Sequence, residues 1–304
     1  MRATLLLSSL LVAALASAGA PAATLVHKTM TCPIGGATFD YAAPASNSAF
    51  VARPDGKPYG TAAPVALPEC PDNGLILYKD YDEAEVAKLK PLVASDEYQA
   101  LRKDGGQYYR AFWLMRKMGL GPEDYLWALL QASWEADGKP ELRERYLTEL
   151  ADLSARVPPA PSDIDWIGME ARSINALREL GRFDEATARL QKVPLAGLDV
   201  PIPAGRDVGS ATVNEAKVKH AWLAFFQGLK AAIARRDKRM EPFDLVPRSI
   251  ALGYCIEPPS SPLEASDQAF CDKETTAVDE MRAARAKAVA DLKAVSRSRE
   301  ESGR

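Results

Sequence analysis

Histidine is almost absent from this sequence, which contains only His27 and His220 among its 304 residues. The common catalytic signatures are also missing: there is no G-x-S-x-G serine elbow, no H-E-x-x-H zinc motif and no glycine-rich phosphate loop. His220 lies beside the apolar face of a predicted helix, where packing is a commoner role than proton transfer. Glu135 and Asp137 are two residues apart, so on a helix their carboxylates point in different directions. The sequence therefore predicts no catalytic residue, no cofactor and no metal site.

A surplus of basic residues is lacking as well. The chain has 38 lysines and arginines against 41 aspartates and glutamates, which gives a net charge of −3. Nucleic acids and anionic membrane surfaces both select for concentrated positive charge, and no basic cluster stands out here. We therefore expect no nucleic-acid partner, and we expect the partner to be a protein or a peptide.

Long hydrophobic runs are confined to the first residues of the sequence. Arg2 precedes an apolar run over residues 3–16, which is shorter than the roughly 20 residues that a membrane-spanning helix needs. A basic residue, a short apolar run and small residues after it are typical of a cleavable export signal. We predict a signal peptide over residues 1–23, cleaved after Ala18 or, as a second choice, after Ala22. The expected mature protein is periplasmic or secreted, with no membrane span.

Cysteine is scarce, but the four cysteines are an even number, which favours disulfide bonds in an exported protein. Of the three possible pairings we favour the local one, Cys32 with Cys70 and Cys255 with Cys271, because each bridge then stays within one compositional region. The alternative for Cys32 is zinc, since Cys32-Pro-Ile-Gly-Gly is similar to the knuckle sequence C-P-x-C-G. Gly35 stands where that motif has its second ligand, so a disulfide is the preferred interpretation.

The part of the chain over residues 24–81 is rich in proline and glycine. Turn signals occur at Asp55-Gly56 and at Asn73-Gly74, because asparagine and glycine tolerate positive φ angles. We predict that this region forms a small cap of short strands and loops.

Helical patterns begin at Asp82, which forms a predicted capping box with Glu85. We predict an α-helical hairpin domain over residues 82–240, followed by an irregular segment and a C-terminal helix over residues 241–304. The last helix is expected to dock on its own domain, with an intermolecular coiled coil as the alternative. The predicted fold class is mainly α, with a small β/loop cap on a helical bundle. The helices predicted from caps and breakers cover 96–103, 107–118, 122–137, 140–156, 212–237 and 263–295, with irregular chain over 240–262.

Residues 162–194 resemble a tetratricopeptide hairpin, a helix–turn–helix unit of repeat proteins. Gly181 matches the turn glycine, Phe183 the aromatic residue after it and Ala186 the small residue where the two helices touch. Pro194 ends the second helix early, and no second copy follows at the family's period of about 34 residues. A single diverged hairpin and a true repeat array both stay open.

Four motifs, taken as a set, resemble a family of uncharacterised bacterial proteins with a cysteine-bearing cap followed by helices. They are C-P-I-G-G from Cys32, R-P-D-G-K-P-Y-G from Arg53, L-P-E-C-P-D-N-G from Leu67 and Y-Y-R-A-F-W-L from Tyr108. The resemblance covers roughly residues 30–195. The family carries no activity that could be transferred, so the resemblance implies the architecture alone.

Aromatic residues provide the candidate binding surface. Tyr108, Tyr109 and Trp113 lie on adjacent sides of one predicted helix, and a groove that exposes them would suit peptide binding. The polar loop that contains Arg53 and Tyr59 is a second candidate surface, with a rigid structural turn as the alternative.

These observations favour an exported, non-enzymatic scaffold of the bacterial cell envelope that binds a protein or a peptide. The alternative is a hydrolytic or envelope-modifying enzyme with an unrecognised site. A deep pocket with converging titratable groups would favour the enzyme, whereas a groove lined by aromatic residues would favour the scaffold.

Overall fold

The computed structural model describes residues 25–45, 51–203, 210–259 and 262–302. The predicted signal peptide and both of its cleavage sites lie outside these ranges. Within them the fold is mainly α-helical with a two-stranded sheet near the N-terminus, as the sequence predicted. No helix in these ranges is long and apolar enough to cross a membrane. The elements are β1 (Leu25–Thr31), β2 (Thr38–Pro44), α1 (Glu83–Val93), α2 (Asp96–Asp104), α3 (Gln107–Lys117), α4 (Pro122–Glu135), α5 (Pro140–Ser154), α6 (Ile164–Glu179), α7 (Phe183–Leu190), a short 3₁₀ helix (Leu195–Gly197), α8 (Ser210–Ala234), α9 (Arg248–Ile256), α10 (Ala265–Lys273) and α11 (Thr275–Ser302).

Two similar turns form the stapled part of the cap. The first joins the antiparallel strands β1 and β2, with a hydrogen bond from the Gly36 N–H to the Cys32 carbonyl. The second repeats this bond between the Gly74 N–H and the Cys70 carbonyl. A disulfide joins Cys32 to Cys70 with 5.5 Å between the Cα atoms. The predicted pairing of Cys32 with Cys70 is confirmed. The zinc alternative for Cys32 is wrong, because the Cys32 sulfur is bonded to the Cys70 sulfur.

Local signals set several helix ends where the sequence placed them. The Asp82 carboxylate accepts a hydrogen bond from the Glu85 N–H at 2.8 Å, and the Glu85 carboxylate accepts one from the Asp82 N–H, so the capping box before α1 is complete. Ser95 caps α2. Gly181 has a φ of +77° between α6 and α7, a conformation that glycine adopts without strain. A helix, a turn and a helix are therefore present, whereas the tetratricopeptide resemblance stays a prediction.

The C-terminal region differs from the prediction in two places. Helix α9 lies inside the segment expected to be irregular, and Glu274 divides the expected last helix into α10 and α11. Pro247 stands at the N-cap of α9, where a missing N–H costs nothing. The second predicted disulfide, between Cys255 and Cys271, joins α9 to α10. Helix α11 docks on α9.

The central helices pack in two layers. Helix α6 contacts both α4 and α8, so these three form one layer. Helix α5 packs against α4 and α6, and α7 packs against α6 and α8, which forms the other layer. Large buried side chains form the core among these helices and α3, including Phe112, Tyr146, Ile174 and Phe226. Side chains of α4, α6 and α8 therefore approach one another on one face of the bundle.

Candidate functional site

The R-P-D-G-K-P-Y-G loop (residues 53–60) lies against the helices, and Pro54 and Asp55 at its start are buried. Asp55 is only 1% exposed. The Asp55 carboxylate pairs with Arg53 at 2.5 Å and with Arg143 of α5 at 3.1 Å. Gly56 has a φ of +91°, and a Cβ there would lie 2.9 Å from Nε of Arg172, so no larger residue fits without displacing that side chain. The loop is thus held as a rigid turn inside the fold.

Ionic contacts extend from this loop to three helices. Asp137, which follows α4, pairs with Arg53 at 2.7 Å and with Lys57 at 2.8 Å. Arg143 pairs with Glu179 at the end of α6 at 2.8 Å. We call this set the ion-pair network. Its three basic and three acidic members are Arg53, Asp55, Lys57, Asp137, Arg143 and Glu179. The buried Arg178 lies next to the network, 3.8 Å from the Glu179 carboxylate.

Burial and pairing act in opposite directions on the acids of the network. Burial alone would raise the pKa of Asp55, but the hydrogen bond and the charge of Arg53 outweigh it and hold that pKa below its ordinary value. The pKa of Asp137 is lowered in the same way, with Lys57 adding to Arg53. Burial raises the pKa of Glu179 in spite of its arginine neighbours. The network joins the cap to the bundle, and its charged groups pair with one another.

The residues that the sequence nominated for binding are occupied by internal contacts. The Tyr59 hydroxyl donates to Glu241 at 2.6 Å. On α3, the Tyr108 hydroxyl donates to a backbone carbonyl of the cap, and Tyr109 stacks on a tyrosine of α5 with 4.3 Å between ring centroids. Trp113 is 8% exposed, and its Nε1–H donates to Glu97 at 2.8 Å. Because little of these rings faces outward, they do not form an open binding surface.

A different pair of tryptophans lines an apolar pocket. Trp127 of α4 is 36% exposed, and Trp166 of α6 is partly buried on the opposite wall. Leu126, Met169 and Val157 supply the floor of this pocket, which has a volume of about 350 Å³. We call it the tryptophan groove. Pro158, which lies in the segment between α5 and α6, also lines it.

The rim of the tryptophan groove is acidic. Glu123, Asp163 and Asp165 lie at its edge. None of these carboxylates forms an ion pair with another residue in the described ranges, although Asp163 accepts a hydrogen bond from the Asp165 N–H as the N-cap of α6. The other charged lining residues, Glu170 and Arg189, pair with each other at 2.5 Å.

Two helix N-termini bring these acids together. Glu123 stands in the first turn of α4, and Asp165 in the first turn of α6. Negative charge is favourable at a helix N-terminus, which accounts for each acid separately. Their convergence around one apolar pocket produces a local surface that is aromatic in the middle and negative at the edge. Such a surface complements a ligand with an apolar group next to a positive charge.

Comparisons of the chain with models of known protein families, with curated proteins and with solved structures found no match.

Proposed function

We propose that the chain is an exported scaffold of the bacterial cell envelope whose tryptophan groove binds a peptide segment carrying a basic side chain next to an apolar one. Export rests on the predicted signal peptide, and two disulfide bonds are typical of proteins in an oxidising compartment. The observation that carries the binding proposal is the exposed Trp127 in an apolar pocket with a rim of unpaired carboxylates.

The aromatic lining supplies the binding energy in this proposal. Trp127 and Trp166 present large rigid surfaces that lose little conformational freedom when a ligand covers them. Tryptophan is among the residues that most often dominate binding energy at protein interfaces. A pocket of about 350 Å³ takes one or two apolar side chains, so a short segment of a partner is sufficient to fill it.

The acidic rim supplies the selectivity. A lysine or arginine beside the apolar anchor would meet Glu123, Asp163 or Asp165 without breaking an ion pair among the described residues. An acidic segment would instead be repelled, because like charges across an interface disfavour association. We therefore expect binding to weaken as the salt concentration rises.

The experiment compares two blocked hexapeptides in calorimetric titrations of the mature protein. One alternates leucine with lysine, and the other alternates leucine with glutamate. We expect the lysine peptide to bind and the glutamate peptide not to bind. Asp165→Lys is expected to weaken binding of the lysine peptide by about tenfold or more, because it reverses one rim charge.

Asp184→Lys is the matched control for Asp165→Lys. Asp184 also stands in the first turn of a helix, α7, and it does not line the groove. Both variants change a helix-terminal charge, so they are expected to alter stability similarly, and only Asp165→Lys is expected to weaken binding. Equal binding of the two peptides, or equal loss in both variants, would contradict the proposal. Absence of binding together with turnover in a screen of hydrolase substrates would favour the alternative, an envelope-modifying enzyme.

A further inference from the structure

A second pocket lies between the chain that enters the R-P-D-G-K-P-Y-G loop and helix α8. It has a volume of about 580 Å³. Its lining is mostly apolar and includes Val218, Trp222 and Phe225 of α8 together with Leu245. It is a neighbour of the tryptophan groove, because an added Cβ on Gly168 would lie 3.2 Å from Trp222 and 3.9 Å from Trp127.

Arg172 of α6 places its guanidinium in the wall of this second pocket. The guanidinium carbon lies 5.0 Å from the ring centroid of Trp222 and 4.9 Å from that of Phe225. Its Nη1–H donates to the Pro54 carbonyl at 2.7 Å. In the described part of the chain, no carboxylate forms an ion pair with this arginine.

The other charged groups in the wall are already neutralised. Arg53 pairs with Asp55 and with Asp137. Asp244 pairs with Arg235. Among the described lining residues, Arg172 therefore carries the one charge that has no counter-charge in direct contact.

Burial of this cation is unfavourable as it stands. Burial lowers the pKa of Arg172 to about 10, although the more distant Asp55 opposes that change. A guanidinium that stacks on aromatic rings can still donate hydrogen bonds from its edge. Nη1 of Arg172 donates to Pro54 and Nε lies against Gly56, so Nη2 is the group left to donate to a carboxylate oxygen. A bound carboxylate would supply the missing counter-charge, and the apolar lining would cover the group attached to it.

We propose that the Arg172 pocket binds a carboxylate carried by an apolar group. Two sources have this chemistry: the C-terminus of a peptide that ends in an apolar residue, and a free carboxylic acid with an aromatic or aliphatic chain. This site does not depend on the tryptophan groove, since it uses different residues and the opposite charge.

The test uses three probes in calorimetric titrations of the mature protein. They are acetyl-Ala-Ala-Phe with a free carboxylate, the same peptide as its C-terminal amide, and 3-phenylpropionate. We expect the peptide acid to bind about tenfold or more tightly than the amide, since a charge-assisted pair is lost in the amide. Binding of 3-phenylpropionate as tightly as the peptide acid would support a free acid as the ligand, and weaker binding would support a peptide C-terminus.

Arg172→Met removes the charge while it keeps an apolar side chain over the two rings. It is expected to abolish the preference for the acid. Arg116→Met is the matched control, because the Arg116 guanidinium also lies over two rings, at 5.6 Å from Phe112 and 5.9 Å from Tyr125. The control variant is expected to keep the preference for the acid.

Equal affinity of the acid and the amide for the wild-type protein would overturn the proposal, as would the absence of binding at millimolar concentration. Retention of the acid preference in a folded Arg172→Met variant would overturn it too. If that variant does not fold, the wild-type comparison and an Arg172→Lys variant test the proposal. Lysine keeps the charge and loses the planar fork, so the preference for the acid over the amide should become smaller but persist. Asp165→Lys, which impairs the tryptophan groove, is expected to leave acid binding unchanged, so the two proposals fail separately.

Discussion

Asp55 and Arg143 form a hydrogen-bonded ion pair at 3.1 Å although 88 residues of sequence separate them. Both side chains are buried, and the aspartate reaches the arginine from the loop of the N-terminal cap. Trp134 adds to this contact, since its Nε1–H donates to the Asp55 carbonyl. The cap is therefore joined to the bundle by buried polar contacts, and loss of these contacts should destabilise the whole fold.

Asp55→Asn is expected to lower the free energy of unfolding by about 1 to 3 kcal/mol, because it removes one of the buried counter-charges of Arg53 and Arg143, which keep Asp137 and Glu179. Urea unfolding followed by circular dichroism measures the change. Asp152→Asn is the control, since Asp152 pairs with Arg182 at 2.9 Å on the surface, where such pairs contribute about 1 kcal/mol or less. Equal costs for the two substitutions would show that the network does not hold the cap.

The network also predicts how stability depends on pH. Asp55 and Asp137 have pKa values below the ordinary 3.8, so near that pH the unfolded chain binds more protons than the folded protein. Their stabilisation is complete above the ordinary pKa and is lost as the pH falls through the folded-state pKa. Urea unfolding at a series of pH values should show this acidic loss, and Asp55→Asn should reduce it.

Glu135 and Glu179 have the opposite effect on the pH dependence of stability. Burial raises the pKa of Glu135 and of Glu179 above the ordinary 4.5. As the pH falls from neutral, the folded protein therefore binds these protons before the unfolded chain does, and stability rises until the pH reaches the ordinary value. The expected profile has its maximum at mildly acidic pH. A free energy of unfolding that declines steadily from neutral pH downward would contradict the raised pKa values, and Glu135→Gln should diminish the rise.

Features that depend on a few neighbouring residues could be predicted from the sequence. The capping box of Asp82 and Glu85 and the turn at Gly181 involve groups within a few positions of one another. In both cases the physical cause is local, so a single sequence carries the signal. The pairing of Cys32 with Cys70 spans 38 residues and was favoured for a different reason, because both cysteines lie in one compositional region.

Features that depend on distant partners could not be predicted. Arg53 stood out as a polar loop residue, but its partner Asp137 lies 84 positions away. The aromatic residues of α3 and α4 gave no means to decide which rings would be buried: Trp113 is 8% exposed, whereas Trp127 is 36% exposed. A clue to the tryptophan groove was present in Pro158, which lies in the break between α5 and α6 and lines the groove.

The two disulfides should contribute unequally to stability. Cys32–Cys70 closes a loop with a sequence separation of 38, and Cys255–Cys271 one of 16. In the chain-entropy model these closures stabilise by about 4 and about 3 kcal/mol, because the longer loop loses more freedom in the unfolded chain. Paired Cys→Ser variants measured by urea unfolding test the order. Protein from its native compartment should show no free thiol when titrated under denaturing conditions, and four reactive thiols there would contradict both bridges.

Trp113 and Trp127 provide the test that separates a core tryptophan from a binding tryptophan. Trp113→Ala should lower the free energy of unfolding by about 3 to 5 kcal/mol, because it removes a ring packed against Tyr98 in the core. Trp127→Ala should cost nearer 1 kcal/mol, because more than a third of that residue is exposed. Thermal and urea unfolding of both variants measure this difference.

The binding of the leucine–lysine peptide should show the reverse order. Trp127→Ala is expected to weaken it by about 30-fold, equivalent to about 2 kcal/mol, as is typical for the loss of an aromatic anchor. Any Trp113→Ala protein that folds should bind the peptide with unchanged affinity, since its indole packs between α2 and α3 and donates to Glu97. If Trp113→Ala loses binding while Trp127→Ala keeps it, the binding surface lies on α3, as the aromatic pattern of the sequence suggested, and the tryptophan groove is not the site.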